Sequence, residues 1–190
     1  HQLGSEIYLK TGDVGAVATF LHEFIAAHRP ETLSELLFGS NAPEYAPLDT
    51  LSPLVKFQPW HPDMVNTVDF VGQREASFKT ISDEHVRAEA RRQAAAVDSL
   101  RANGYEPELR RRGYLKGRLL LSRGDYRFLV EDGNHRLGAL NALGVGEIAV
   151  RFNPDGPPIV DEDEVDSWPM VASGACSRDL AIRLLRRHFT

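Results

Sequence analysis

Apolar residues recur along this chain with two different periods. From Asp13 to His28, Val17, Phe20, Leu21, Phe24 and Ile25 fall at helical spacings, and Asp13 is suited to cap the first turn. Pro30 stops that helix, and Glu31 to Phe38 predicts a short second one before Gly39. A longer helix is predicted from Ser82 or Asp83 to Asn103, because Val86, Ala90, Ala94, Val97 and Leu100 step by four or three along one stripe. Arg118 to Ser122 reads as an apolar strand. Tyr126, Phe128 and Val130 then alternate with Arg127 and Leu129 at period 2, with Gly124-Asp125 turning the two strands into a hairpin. Leu137, Leu140 and Leu143, with Ala139 and Ala142, return to helical spacing as far as Gly144, and Glu147 to Phe152 reads as another strand. Behind Ser177, a good cap, Leu180, Ile182, Leu184 and Leu185 build a final helix closing on Arg186, Arg187 and His188. Residues 1–10 predict no element.

Elsewhere the pattern breaks. Between Ser40 and Asp63 five prolines exclude a long helix and favour an extended path, with room for one edge strand in Leu51 to Phe57. Trp60, His61, Pro62 and Asp63 form either one wall of a ligand pocket or a surface loop pinned by a buried tryptophan. Val68 and Phe70 suggest a brief strand. Val160 to Asp166 is acidic without the spacing of a calcium loop, and reads as a solvated turn.

Composition narrows the class. A chain of 190 residues fits one domain with a sizeable core, with or without an added subdomain, and its net charge of −5 argues against a general nucleic-acid binder. A single cysteine, Cys176, excludes an intrachain disulfide and fits a reducing cytoplasm. No apolar run is long enough to span a membrane. An opening His1 in place of methionine fits a chain trimmed from something longer. Hydrolase elbows, zinc-protease helices, Walker loops and paired cysteine ligands are all absent from the sequence.

The chemistry concentrates where the second hairpin strand meets the next helix. Asp132, Gly133, Asn134, His135 and Arg136 gather at that turn. The first N–H groups of a helix have no internal partners and carry the positive end of its dipole, so such a turn can hold an anion. Gly133 lets the backbone approach closely, Asn134 is a candidate cap, His135 adds a donor, and Arg136 adds a fork for phosphate oxygens. The bland alternative is a helix start with solvated polar residues. On the long helix, Arg87, Glu89, Arg91 and Arg92 have the composition of a solvated face; the alternative turns Glu89 and Arg92 into the pocket. Arg110, Arg111, Arg112 and Lys116 offer either a solvated turn or a polyanion contact. His22 and His28 lie six apart and do not share a helical face as a metal pair would.

The run D-G-N-H-R-L, followed by A-L-N-A-L-G and a short strand, resembles the ParB/sulfiredoxin-like superfamily over roughly Asp83 to Phe152. The resemblance implies an α/β (α+β) fold, a small mixed sheet with packed helices, as a domain over residues 66–190 behind a helical, proline-rich extension over 1–65. It implies that Gly133 and Arg136 correspond to the glycine and arginine that ParB proteins place on CTP. Gly133, His135 and Arg136 also match the G-C-H-R turn of sulfiredoxin, but Asn134 stands in place of its catalytic cysteine, so sulfinic acid repair is not expected. Small-molecule kinases of the same superfamily, which phosphorylate free serine, remain compatible. The tail V-D-S-W-P with its following helix is similar to ParB-like proteins encoded near bacterial surface-polysaccharide genes.

Two functional expectations follow. One is a cytoplasmic phosphotransferase that moves phosphate from ATP or CTP to a small hydroxylated acceptor, with Gly133, Asn134, His135 and Arg136 on the nucleotide. Asp132 would then hold Mg²⁺ or orient the acceptor, Lys116 or Arg118 would add charge, and Asp69, Glu75 or Glu89 would be the base. The other is a non-catalytic nucleotide-binding regulatory or accessory module in surface-polysaccharide biosynthesis. Cys176, just ahead of a helix start that can lower a thiol's pKa, has no histidine nearby in sequence and is expected to be an unremarkable thiol.

Overall fold

A computed structural model describes residues 1–28, 30–39, 43–45, 48, 51, 57–61, 81–109 and 113–189. In chain order the elements are α1 (Gln2–Thr11), α2 (Val14–Ala27), α3 (Leu33–Phe38), α4 (Asp83–Asn103), β1 (Leu115–Ser122), β2 (Asp125–Asp132), α5 (Asn134–Ala142), β3 (Val150–Phe152), β4 (Ile159–Asp161), α6 (Pro169–Ala172) and α7 (Arg178–Arg186). These elements form a mixed α/β structure with a small four-stranded sheet. The strand expected in 51–57, the one around Val68 and Phe70, Asp69, Glu75, Arg110, Arg111, Arg112 and the boundary at residue 65 lie outside the described residues. The chain divides into two compact units, one of 1–28, 81–117 and 130–152, the other of 29–80, 118–129 and 153–190.

In the first unit, α1, α2, α4 and α5 pack on one another. Asp13 caps α2 by accepting from the Gly15 N–H at 2.7 Å, and Ser82 caps α4 through the His85 N–H. The stripe read from the sequence is the buried one: Val86, Ala90, Ala94, Val97 and Leu100 all face inward. Val97 and Leu100 join Leu115, Ala139 and Leu140 in the core. The first helix was not predicted, and its packing explains why. Its buried residues are Gly4 and Ser5, so it seats through small side chains and leaves no apolar stripe to read. Within this unit Leu115, Lys116 and Gly117 pair in parallel with Val150, Arg151 and Phe152. The Tyr105 hydroxyl bridges the same region, accepting from the Leu115 N–H at 3.0 Å and donating to the Ala149 carbonyl at 2.9 Å.

In the second unit, Leu119 to Leu121 pair in parallel with Ile159 to Asp161. The turn joining β1 to β2 is Arg123-Gly124, with φ of 52° and 80°, one residue earlier than the expected Gly124-Asp125. Positive φ at both central residues matches the twist that a two-residue hairpin loop requires. The fourth strand, β4, was not expected. Its three residues follow two prolines and form a strand only by pairing with a distant partner. Trp60 is buried edge-on to Trp168 with ring centroids 5.4 Å apart, which favours the pinned-loop reading of that cluster over a pocket wall. The acidic run is a 3₁₀ turn, Glu162–Ser167, with Asp163, Glu164 and Asp166 exposed, as a solvated turn requires. Glu162 accepts from Arg186 through both carboxylate oxygens and from the Ser122 hydroxyl, and the Arg186 guanidinium holds its carboxyl below the ordinary value.

Candidate functional site

At the end of β2 the chain turns through Gly133, whose φ of 96° and ψ of 23° are left-handed, and enters α5 at Asn134. The cap of α5 is therefore Gly133, not Asn134. Among the described residues no side chain bonds to the first N–H groups of the helix, so the backbone amides of the turn are open to an occupant of the space in front of them. The glycine is required twice over. A Cβ at position 133 would overlap Leu115 Cδ2, which is fully buried, and would lie 2.9 Å from Arg136 Nη2. The turn thus closes tightly against β1 beneath it.

In front of this turn lies a cavity of about 660 Å³, whose described lining residues belong to the first unit. Asp132, Gly133, Asn134, His135 and Arg136 all line it. Beside His1 and Glu131, its remaining described lining comes from α4 and the segment that follows, with an apolar share from Ala96, Leu100, Tyr105 and Pro107. Polar groups beside an apolar surface are the ordinary make-up of a small-molecule site. The charges are mixed: Glu89, Glu106, Glu131 and Asp132 stand with Arg92 and Arg136.

Four of the polar side chains lining the cavity are already engaged: His135, Glu89, Arg92 and Arg136. His135 Nε2 is 2.7 Å from Glu89 Oε2, and the other oxygen of Glu89 accepts from Arg92, with His85 Nε2 3.9 Å away. The His1 ring lies 4.3 Å from the His135 ring, centroid to centroid. Beneath this group the buried Gln93 donates to the Ser5 hydroxyl and, at 3.2 Å, to the carbonyl of His135, so the start of α5 is tied to α4 through the main chain as well. Arg136 is half-buried and donates to the carbonyls of Gly113 and Tyr114. Two of its five N–H donors thereby fasten the strand entry.

The structure therefore brings together all five residues singled out at the turn, and adds Glu89 and Arg92, whose favoured reading was a solvated helix face. The signal that would have placed them was weak, since α4 is amphipathic and its flanks look alike in sequence. One other expectation needs correction. Arg118 has no exposed surface and donates to the carbonyls of Pro157 and Asp155, at 3.1 and 2.9 Å, so its guanidinium cannot serve a phosphate. Cys176, read as an unremarkable thiol, is buried and its thiol is pushed up to about 11 by that burial, in agreement with the reading. His22 lies 3.6 Å from Asp83.

Comparison with family models, with curated proteins and with solved structures gave no match. Among the described residues no group of three or more histidine, cysteine, aspartate or glutamate side chains is arranged to hold a metal ion. No helix among them is long and apolar enough to cross a membrane.

Proposed function

We propose that the first unit binds a nucleoside triphosphate, ATP or CTP, with its phosphates at the backbone amides of Gly133, Asn134 and His135 and at the side chain of Arg136, and that it transfers phosphate to a small hydroxylated molecule. The supporting observation is the cavity itself. It lies at the uncapped start of α5, where a left-handed glycine exposes the first amides and where every residue from Asp132 to Arg136 is on the wall. The apolar share of the lining suits a nucleobase, and the volume of about 660 Å³ suits a nucleotide-sized guest. The fold we propose for the unit is of the ParB/sulfiredoxin-like kind, on the D-G-N-H-R-L turn and the strand–glycine–helix arrangement around it.

Among the described residues four carboxylates line the cavity against two arginines, a balance that favours a guest whose charge is offset by a cation. A nucleotide therefore enters as its Mg²⁺ complex. The exposed Asp132 carboxylate is the residue fit to hold that ion. Mg²⁺ in nucleotide sites is commonly held by one or two carboxylates together with the phosphates, which suits a site with no preformed cluster. The ion would neutralise charge on the phosphates. The protein's own part is to cradle them with the turn amides, orient them through Arg136 and exclude water with the apolar wall. A second reading is a non-catalytic module. It draws on the Arg136 bonds to Gly113 and Tyr114, because an occupant competing for that guanidinium would release the strand entry and change the local shape.

Calorimetric titration of the parent and of Arg136→Lys with ATP, CTP and their diphosphates, with Mg²⁺ present, tests the binding. Losing the planar fork should weaken affinity roughly ten- to hundredfold, about 1.4–2.8 kcal/mol. Equal affinities in folded proteins would refute the role of Arg136, and no binding by the parent would refute the reading as a whole. Steady turnover separates the two readings.

A further inference from the structure

The pair formed by His135 and Glu89 has a chemical polarity that phosphate binding does not use. A carboxylate only accepts, so the 2.7 Å contact requires the proton on His135 Nε2 and leaves Nδ1 of the neutral ring with a free lone pair. None of the hydrogen bonds among the described residues involves Nδ1. A lone pair facing phosphate oxygens is repulsive, whereas a hydroxyl donates to it. Both oxygens of Glu89 are engaged, one by Arg92 and the other by His135, which fits it to hold and orient the ring.

We propose that His135 is the general base of the phosphoryl transfer described above and that Glu89 positions it; the inference rests on that reading. The acceptor O–H gives its proton to His135 Nδ1 as the acceptor oxygen bonds to the γ-phosphorus. The bond from that phosphorus to the β,γ-bridging oxygen breaks, and the electron pair leaves with the nucleoside diphosphate. Glu89 stabilises the imidazolium across its Nε2–H bond until water removes the proton. Of the three carboxylates considered from sequence, Glu89 is the one among the described residues, and its role becomes orientation.

The test uses the full chain with Mg²⁺ and ATP, with water and then glycerol as the acceptor, together with calorimetric ATP affinity. His135→Gln should lower kcat about a hundredfold while ATP affinity stays within about threefold. Glu89→Gln should lower kcat about tenfold while ATP affinity stays within about threefold, and Glu89→Asp, which keeps the carboxylate, should recover part of that loss. If His135→Gln fails to fold, the two Glu89 variants decide. Unchanged kcat in folded His135→Gln, equal losses of kcat in Glu89→Gln and Glu89→Asp, or a parent that binds ATP without turning it over each overturns the base assignment while leaving nucleotide binding intact. A parent that binds no ATP removes the underlying reading, and the base assignment with it.

Discussion

Replacing Gly133 with alanine separates backbone strain from crowding, because a second glycine supplies the control. Gly133 has φ of 96° and Gly144 φ of 72°, so both hold a conformation that costs an L-residue roughly 1–2 kcal/mol. Around Gly144 nothing lies within 4 Å of a built Cβ, so Gly144→Ala should lose that strain energy and little else. At Gly133 the new methyl meets Leu115 Cδ2 and Arg136 Nη2. Leu115 is wholly buried between Val97, Leu100 and Leu140, and cannot swing aside without disturbing the core. Overpacking of this kind costs about 1–3 kcal/mol more. The expected loss is therefore about 2–5 kcal/mol for Gly133→Ala against about 1–2 for Gly144→Ala. Urea unfolding of both variants and the parent, followed by circular dichroism, measures the difference from the midpoints at a common slope. Equal losses in the two variants would show that the turn has room the geometry denies it, and would undo the claim that β1 closes against the cradle.

Tyr105→Phe should cost about 1–3 kcal/mol in the same assay, because it leaves the buried Leu115 N–H and the Ala149 carbonyl without the hydroxyl that joins them; a loss below the scatter of the measurement would mean that water replaces it. Glu162, held below its ordinary value of 4.5 by Arg186, contributes stability above that pH that is lost as the pH falls through the lowered native value. Glu162→Gln should accordingly be less stable than the parent near neutrality and should lose less on acidification, whereas parallel pH profiles would contradict the pairing. Cys176→Ser should leave nucleotide affinity and any turnover within about threefold of the parent, below ~0.7 kcal/mol, with abolished turnover in a folded variant as the contrary result.

What could be read from sequence was whatever is written locally. The α4 stripe, its Ser82 cap and its Gly104 stop, the capped α2 and α7, and the strand–glycine–helix cradle all rest on neighbours a few residues apart, and each is found where periodicity places it. What could not be read depends on partners distant in the chain. Strand β4 exists through Leu119 to Leu121, and α1 seats through glycine and serine against residues of other helices. Arg118 looked like a cation for a ligand, and it became a buried tie because the Asp155 to Pro157 loop presents its carbonyls to it. In the site, the turn was visible because five polar residues stand together, whereas Glu89 joins them across a separation of 46 residues to His135.

The solitary buried thiol gives the second unit a native chemical clock. Cys176 sits in a core with Trp60, Trp168 and Leu180, and the first unit contains no sulfhydryl at all. A thiol reagent added to the folded protein can react only when that core opens, so the rate of modification reads the opening equilibrium of this unit alone. Adding a nucleotide during such an experiment asks whether filling the cavity of the first unit is felt in the second, with no label introduced and no residue changed.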